Sequence, residues 1–226
     1  MAHREQLQTV EHVRTMFPAS FQGARVLEIG SLDINGGIRR FFGNCDYTGL
    51  DVGPGPGVDV VCQGQDYAAP DGSFDTVVSC EVMEHNPHWR KTLRNMLRMC
   101  RPGGLVLMTC ASTGRKEHGT TRTLPEESPL TVGLGWDYYR NLSTRDIHDT
   151  LNVRTEFSAF GLYRNWYSAD LILIGFRAGL PSPPDAKRQL GVMGLNHALR
   201  NMKTLCGWIV RRDTNRLGIL LHGEPV

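Results

Sequence analysis

The chain has 226 residues, of which 40% are hydrophobic and 21% are charged, so it can bury one sizeable core and favours a single main domain. Its formal net charge of +2 is too close to neutral for a protein that binds nucleic acid mainly by neutralising phosphates. Six cysteines without a C-x-x-C pair predict reduced core thiols, and a cytoplasmic protein is expected because no signal-peptide or membrane-length apolar run is found.

The first predicted element is an amphipathic helix in "LQTVEHVRTMF", which is expected to end at Pro18. Short apolar runs then alternate with helical patterns. The runs are "ARVLEIG", "YTGLDV", "VDVV", "FDTVVSC", "GLVLMTC", "TEFSAF" and "ADLILIGF". Helices are predicted at 36–43, 88–100 and 144–151, the last with Ser143 and Asp146 as a capping box. This alternation predicts an α/β fold with a doubly wound, mostly parallel sheet of seven strands.

The last two apolar runs are joined only by "GLYRNWYS", which is too short for a crossover helix. We therefore predict that the last strand returns antiparallel as a hairpin. After "LPSPP", apolar residues recur in steps of three and four and predict a helix whose apolar face is buried on the domain or in a partner subunit. These residues are Val192, Leu195, Leu199, Met202, Cys206 and Ile209.

The chain is accordingly divided into a ligand-binding domain at 1–180 and a helical extension at 181–226. The extension is basic, with seven Lys or Arg residues against three acidic ones. Its simplest interpretation is a solvated helix face. A homodimer formed through this extension is a further expectation.

The turn after the first strand is the expected ligand site, because ligands of doubly wound sheets bind past the carboxyl ends of the strands. "VLEIGSLDINGGIRRF" departs from the dinucleotide fingerprint, since Leu32 and Asn35 stand in two of its glycine positions. Glu28 disfavours a phosphate there and favours a positively charged ligand. Asp51 ends the second strand, where an acid can bind a ribose diol. A ribose beside a positive charge describes S-adenosylmethionine, which has ammonium and sulfonium groups.

The later motifs resemble those of the class I S-adenosylmethionine-dependent methyltransferases, in particular the type 11 group. "GSFDTVVSCEVMEH" at 72–85 and "RPGGLVLMT" at 101–109 are similar to two stretches of that family, and the agreement spans residues 24–110. The first motif departs from the pattern, because its turn is displaced to 35–37. The resemblance implies a Rossmann-like fold and S-adenosyl-L-methionine as cofactor. The cofactor residues it implies are Glu28, Gly30, Ser31, Asn35, Gly36, Asp51, Val52, Gln65, Asp66, Tyr67 and Cys80.

Glu81 and His85 follow the fourth strand, at the edge where the transferred methyl group is expected, and they are the candidate catalytic residues. For His85 a general base and a histidine that caps or packs the next helix are both open interpretations. "EHNPH" also brings Glu84 and His88 close to His85, which suggests a metal site. Pro87 disturbs the helical spacing and no further ligand pair follows, so no metal is expected.

An irregular insert at 111–142 follows the fifth strand and is predicted to be a lid or binding loop. Its "DYYR" and "HG" resemble an element of methyltransferases found with saccharide-modifying enzymes. The candidate substrate residues are His118, Trp136, Asp137, Tyr138, Arg140 and, from the last hairpin, Trp166. Tyr163 and Tyr167 are expected either to join Trp136 and Trp166 in one aromatic wall or to pack in the core.

The sequence thus favours a methyltransferase that acts on the oxygen of a small-molecule or saccharide hydroxyl, without nucleic acid and without an integral membrane segment. A nicotinamide-dependent oxidoreductase or epimerase on a similar sheet is one alternative. A cofactor-binding interaction module without catalysis is another.

Overall fold

The computed structural model describes residues 3–211 and 213–222, and within them seven strands form one sheet in the order β3-β2-β1-β4-β5-β7-β6. The strands are β1 (Arg25–Ile29), β2 (Asp46–Asp51), β3 (Val60–Val61), β4 (Phe74–Cys80), β5 (Cys100–Ala111), β6 (Phe157–Asn165) and β7 (Asp170–Arg177). Strands β1 to β5 pair in parallel, whereas β7 is antiparallel to both β5 and β6. The predicted doubly wound sheet and its antiparallel final hairpin are confirmed.

The helices are α1 (Arg4–Met16), α2 (Trp89–Met99), α3 (Pro129–Gly133), α4 (Thr144–Thr150), α5 (Val153–Glu156), α6 (Ala186–Val210) and α7 (Thr214–His222). The predicted end of the first helix is confirmed, since α1 is capped by Phe17 directly before Pro18. The predicted capping box of α4 is also confirmed. Ser143 accepts the amide of Asp146, and the Asp146 carboxylate accepts the amide of Ser143 at 2.9 Å.

The helix predicted at 36–43 is wrong, because only Arg39–Phe41 forms a single 3-10 turn there. The carboxylate of Asp33 accepts the amide of Gly36 at 2.6 Å, and Gly36 has a φ of +113°. A side-chain turn of this kind satisfies the backbone locally and competes with a helix. The connection from β1 to β2 is therefore mostly an irregular loop.

Both faces of the sheet are covered, as the continuous apolar runs indicate. On one face α2 packs fully buried residues such as Leu93 and Met96 against β4 and β5. On the other face Val10 and Val13 of α1 pack with Leu190 of α6 in a second core. Burying both faces fixes the strand ends, and with them the loops that follow β1, β2 and β4.

The C-terminal helix α6 lies on β6, but not with the predicted apolar face, whose burial in a partner subunit stays a prediction. Its buried residues are Ala186, Leu190, Met193 and His197. Val192, Leu195, Leu199, Met202 and Ile209, which were expected to be buried, are exposed in the monomer, and so is Cys206. The prediction of a core thiol is therefore wrong for Cys206, although Cys100 and Cys110 are buried. In the described part of the chain, none of the helices has both the length and the apolar character to cross a membrane.

Candidate active site

A cleft opens past the carboxyl ends of β1, β2 and β4, at the point where the strand order reverses. Its walls come from α1, the loop after β1, the end of β2, the loop after β4 and the insert. The lining residues are Gln6, Glu28, 30–38, Asp51, 80–82, His85 and 127–131. Seven of the predicted cofactor residues and both predicted catalytic residues lie in this lining.

Gly30 allows the chain to turn sharply out of β1. Its φ is +85°, and a Cβ atom at this position would overlap the side chain of Val82. The next residue, Ser31, is buried, and its hydroxyl has no hydrogen-bond partner among the described residues. Buried polar groups in folded proteins are normally paired, so the Ser31 hydroxyl is available to a ligand.

Glu28 is the buried carboxyl group of the cleft. Its Oε2 atom accepts a hydrogen bond of 2.7 Å from the hydroxyl of Tyr47. Burial raises the pKa of Glu28 to about 7, although the hydrogen bond from Tyr47 acts to lower it, and the negative charge of Asp51 adds a smaller rise. A positively charged ligand beside Glu28 would favour its ionised form.

Asp51 connects two walls of the cleft. Its Oδ2 atom accepts the amide of Leu32 at 2.9 Å, and its Oδ1 atom accepts the amide of Val52 at 2.8 Å. Each carboxylate oxygen has a second lone pair, so Asp51 can still accept hydrogen bonds from a diol. Burial raises the pKa of Asp51 above its usual value.

Gln6 of α1 was missed in the sequence. It is 1% exposed and lines the cleft, and neither atom of its amide group has a partner in the part of the chain that the structure describes. The sequence signal that could have identified Gln6 is its spacing, because Gln6 lies on the same helix face as the buried Val10 and Val13. The cleft thus offers a free amide, a free hydroxyl and a carboxyl group, from Gln6, Ser31 and Glu28. These groups suit a ligand that has hydrogen-bond donors and a positive charge, as S-adenosylmethionine has.

The insert lies across this cleft. Residues 127–131 line it, and Leu130 packs against Gly53 beyond the end of β2. The remaining volume is about 90 Å³. Ligand pockets usually measure about 300–1,000 Å³, so the walls must part to admit a nucleoside.

Four predicted cofactor residues lie outside the described lining, namely Val52, Gln65, Asp66 and Tyr67. Gln65 accepts a hydrogen bond of 3.2 Å from Thr92 of α2, and Tyr67 packs partly buried against the core. Asp66 is exposed in a turn. Their role as cofactor residues stays a prediction.

Glu81 belongs to a buried group of charges. It has a φ of +56°, accepts a hydrogen bond of 3.0 Å from Thr109, and lies 3.4 Å from Nε2 of His3. His3 also lies 3.4 Å from Asp170, and Arg115 lies close to both carboxylates. Burial acts to raise the pKa of Glu81, but the hydrogen bond and charge of His3 lower it below its usual value. Glu81 thus ties α1 to the sheet as well as lining the cleft.

His85 is 2% exposed, and neither of its ring nitrogens has a hydrogen-bond partner within residues 3–211 and 213–222. Burial, together with His118, lowers the pKa of His85 to about 3. The ring is therefore neutral near pH 7 and a weak base, which disfavours the general-base interpretation.

The insert closes directly on His85. The ring of His118 packs edge-on against the ring of His85 with centroids 4.9 Å apart. Gly119, with a φ of +62°, makes this approach possible, since a Cβ there would lie 2.7 Å from Cε1 of His85. Tyr139, which sequence analysis missed in favour of Tyr138, has its ring centroid 4.9 Å from that of His118.

A second cavity of about 810 Å³ lies on the other side of His118. It is bordered by the insert, the turn between β6 and β7, and α6 and α7. Its apolar residues include Trp166, Tyr167, Trp208, Ile219 and Leu220, and its charged ones include Arg115, Lys116 and Arg164. The two histidines therefore lie between the cleft and this cavity.

The other predicted substrate residues hold the insert together, and none of them lines either cavity as described. Asp137 accepts hydrogen bonds from Thr121 and Arg122. Arg140 donates to Asp146 at the start of α4 at 2.7 Å. Tyr138 packs against the core.

The prediction of one aromatic wall is wrong. Trp136 packs edge-on against His88, with ring centroids 5.7 Å apart, whereas Trp166 lines the second cavity. Tyr163 is buried in the core under α6, where its hydroxyl donates to the carbonyl of Leu190.

Comparisons with known proteins indicate the family of the chain. A family model described as a methyltransferase domain matches residues 1–141, more than half of the chain. A probable phthiotriol/phenolphthiotriol dimycocerosates methyltransferase 2 of Mycobacterium ulcerans (strain Agy99) is 29% identical over 77% of this chain and 72% of that protein. A fatty-acid O-methyltransferase of Mycolicibacterium smegmatis (strain ATCC 700084 / mc(2)155) is 34% identical over 43% of this chain and 40% of that protein.

Among solved structures, the CurJ carbon methyltransferase is similar in fold, with a TM-score of 0.54 and 15% sequence identity. The match covers 77% of this chain and 54% of that one. The chain thus spans about half of the length of the CurJ protein and 40% of the length of the fatty-acid O-methyltransferase.

Proposed function

Because the chain belongs to the methyltransferase-domain family, whose members use S-adenosylmethionine, we propose that it methylates an oxygen atom of a small organic acceptor with an apolar body. The family match decides against the nicotinamide alternative. One observation carries the proposal: the cleft and the larger, partly aromatic cavity meet at His85 and His118. The similarity to a fatty-acid O-methyltransferase supports oxygen as the accepting atom.

The cofactor is proposed to lie in the cleft, held by groups that are free or only partly used. Asp51 binds the ribose diol, Glu28 provides negative charge, and Gln6 and Ser31 bind the polar end of the methionyl group. When bound, the cofactor supplies an electrophilic methyl group, whose bond to sulfur breaks as its bond to the acceptor oxygen forms, leaving a neutral thioether. The insert acts as a lid, since residues 127–131 must move to admit the cofactor.

The protein is proposed to act chiefly by alignment. Holding the acceptor in line with the methyl group can supply on the order of 7–11 kcal/mol of the barrier lowering. His85 lies at the edge of the cleft as a neutral ring and helps to exclude water. A carboxylate acceptor has no proton to lose, whereas a hydroxyl acceptor releases its proton to water in the second cavity.

A transfer assay with labelled S-adenosylmethionine tests this proposal. The acceptor panel contains a long-chain fatty acid, a long-chain alcohol, a monosaccharide, a phenol and an amine. We expect label on oxygen, with the apolar acceptors preferred. Label only on nitrogen or carbon would contradict the proposal.

Two tryptophan variants locate the acceptor. Trp166→Ala removes a ring from the second cavity, so kcat/KM for apolar acceptors is expected to fall by about 10-fold or more, as loss of a large buried contact would produce. Trp136→Ala is the matched control, because Trp136 lines neither cavity as described. Equal effects of the two variants would place the acceptor elsewhere.

A further inference from the structure

Three buried side chains with metal-binding atoms converge between the cleft and the second cavity. Glu84, His85 and His118 are 0%, 2% and 7% exposed. One ligand atom of each lies within 4.8 Å of those of the other two. Ligands about 2.0–2.1 Å from Zn²⁺ are at most about 4.2 Å apart, so small side-chain rotations suffice to bring the three onto one ion.

The hydrogen bonds of these residues leave the required lone pairs free. Glu84 uses Oε1 to accept the amide of Ala111 at 3.0 Å, and its Oε2 atom has no partner among the residues described. Both ring nitrogens of His85 are likewise without a partner in residues 3–211 and 213–222.

His118 is oriented as a metal ligand would be. Its Nδ1 atom lies 3.0 Å from the carbonyl oxygen of Lys116, which can only accept, so Nδ1 carries the proton and Nε2 the lone pair. Histidines that bind metals commonly donate their other ring N–H to a backbone carbonyl in this way. The supporting hydrogen bond for a metal ligand is therefore already formed.

We propose that Glu84, His85 and His118 bind one divalent transition-metal ion, with Zn²⁺ the best match. Two imidazoles and one carboxylate are a known ligand set for Zn²⁺ sites that keep a position open, and non-haem Fe²⁺ uses the same set. His85 lines the cleft and His118 lines the second cavity, so an ion here is accessible from both. Its positive charge would favour loss of a proton from a bound acceptor oxygen to water.

Two other groups of residues were candidate metal sites, and both differ from this one. His88, which the "EHNPH" motif places near Glu84 and His85, is exposed and packs against Trp136 instead. The insert supplies His118 in its place. The cluster of His3, Glu81 and Asp170 has a similar composition, but a protonated His3 and Arg115 already balance its two carboxylates.

Titration calorimetry with ZnCl₂ on the untagged full chain, after treatment with EDTA and without cofactor or acceptor, tests the site. We expect one Zn²⁺ per chain. Glu84→Gln and His118→Gln should each weaken the affinity by at least about 100-fold, since loss of even a supporting partner costs about 10–100-fold. His88→Gln, a nearby exposed histidine, is the matched control and should bind as the unmodified protein does.

Equal Zn²⁺ affinity in the unmodified protein and the Glu84→Gln/His118→Gln double variant would overturn the proposal. If a variant does not fold, X-ray absorption of Zn²⁺-loaded unmodified protein decides. Two imidazole ligands and oxygen ligands support the site, whereas sulfur or a single imidazole refutes it. The proposal goes beyond the methyl transfer, and these measurements do not depend on it.

Discussion

The carboxylate of Asp51 has two uses, because it holds the loop after β1 and is the proposed ribose ligand. We expect Asp51→Ala to weaken S-adenosylmethionine binding by about 10- to 100-fold, since hydrogen bonds to a charged group contribute roughly 1.5–3 kcal/mol each. Titration calorimetry measures this loss. Asp46→Ala removes an exposed aspartate from the other end of β2 and serves as the control. Unchanged affinity in Asp51→Ala would refute the ribose assignment.

Glu28 should make cofactor binding depend on pH. Its pKa is raised to about 7, chiefly by burial, so the carboxyl group ionises as pH rises from about 6 to about 8. A positively charged ligand prefers the ionised form, and S-adenosylmethionine should therefore bind more tightly at the higher pH.

Two comparisons isolate this effect. Glu28→Gln should flatten the pH dependence of the cofactor affinity, and the demethylated product, which lacks the sulfonium charge, should show a smaller rise. If the pH dependence of the cofactor affinity is unchanged in Glu28→Gln, a group other than Glu28 causes it.

Individual site residues were predictable where strand ends determine their position. Glu28 and Asp51 line the cleft because parallel strands present their carboxyl ends at one edge. Gln6 was not predictable in this way, since it reaches the cleft from a helix before β1. Asp137 and Arg140 were expected at the acceptor, but local partners in the insert and in α4 bind both side chains.

Helix α1 is attached to the sheet by the charge of His3. Its Nε2 atom lies 3.4 Å from carboxylate oxygens of Glu81 and Asp170, and the interaction with these two carboxylates raises the pKa of His3 to about 10 although burial acts to lower it. Because the folded-state pKa exceeds the unfolded value of 6.5, the stabilisation is complete below the unfolded value and is lost as pH rises through about 10.

Thermal unfolding from about pH 6 to about pH 10 measures this contribution. His3→Gln should lower the Tm most at the acidic end of this range, and its difference from the unmodified protein should shrink as the pH rises. His12→Gln changes an exposed histidine of the same helix and should have little effect. A His3→Gln difference that grows with pH would contradict the assignment.

Elements whose sequence signals are local were predicted correctly, whereas contacts between distant residues were not. Helices α2 and α4 were predicted because their apolar spacing or capping residues are local in sequence. The helix at 36–43 failed because the turn between Asp33 and Gly36 competes with it. The pairing of His85 with His118 joins residues far apart in sequence through an irregular insert, and no periodic pattern encodes such a contact.

At the scale of the whole molecule, the exposed apolar residues of α6 bear on the oligomeric state of the protein. The homodimer expected from the sequence stays a prediction. If two copies pair through these residues, light scattering should give twice the monomer mass, and Leu195→Glu with Leu199→Glu should restore the monomer. Leu190 lies on the buried face and must be left intact. A monomeric unmodified protein at high concentration would refute the dimer.

The doubly wound sheet, the closing hairpin and the cofactor class followed from the sequence because several motifs occur in the expected order along an alternating strand and helix pattern. The face on which α6 packs did not follow, since apolar residues occur on two sides of that helix. Its orientation is decided by contacts with β6, such as Leu190 accepting the Tyr163 hydroxyl, which spacing alone does not reveal.

The narrowness of the cleft under residues 127–131 has a kinetic consequence. If the insert is the proposed lid over the cofactor, the spent cofactor leaves only after the insert opens, and each cycle then includes an opening event even if the chemistry is fast. If this opening limits turnover, the rate depends on how often Leu130 moves away from Gly53. A higher solvent viscosity or a lower temperature slows this movement and would then slow turnover as well.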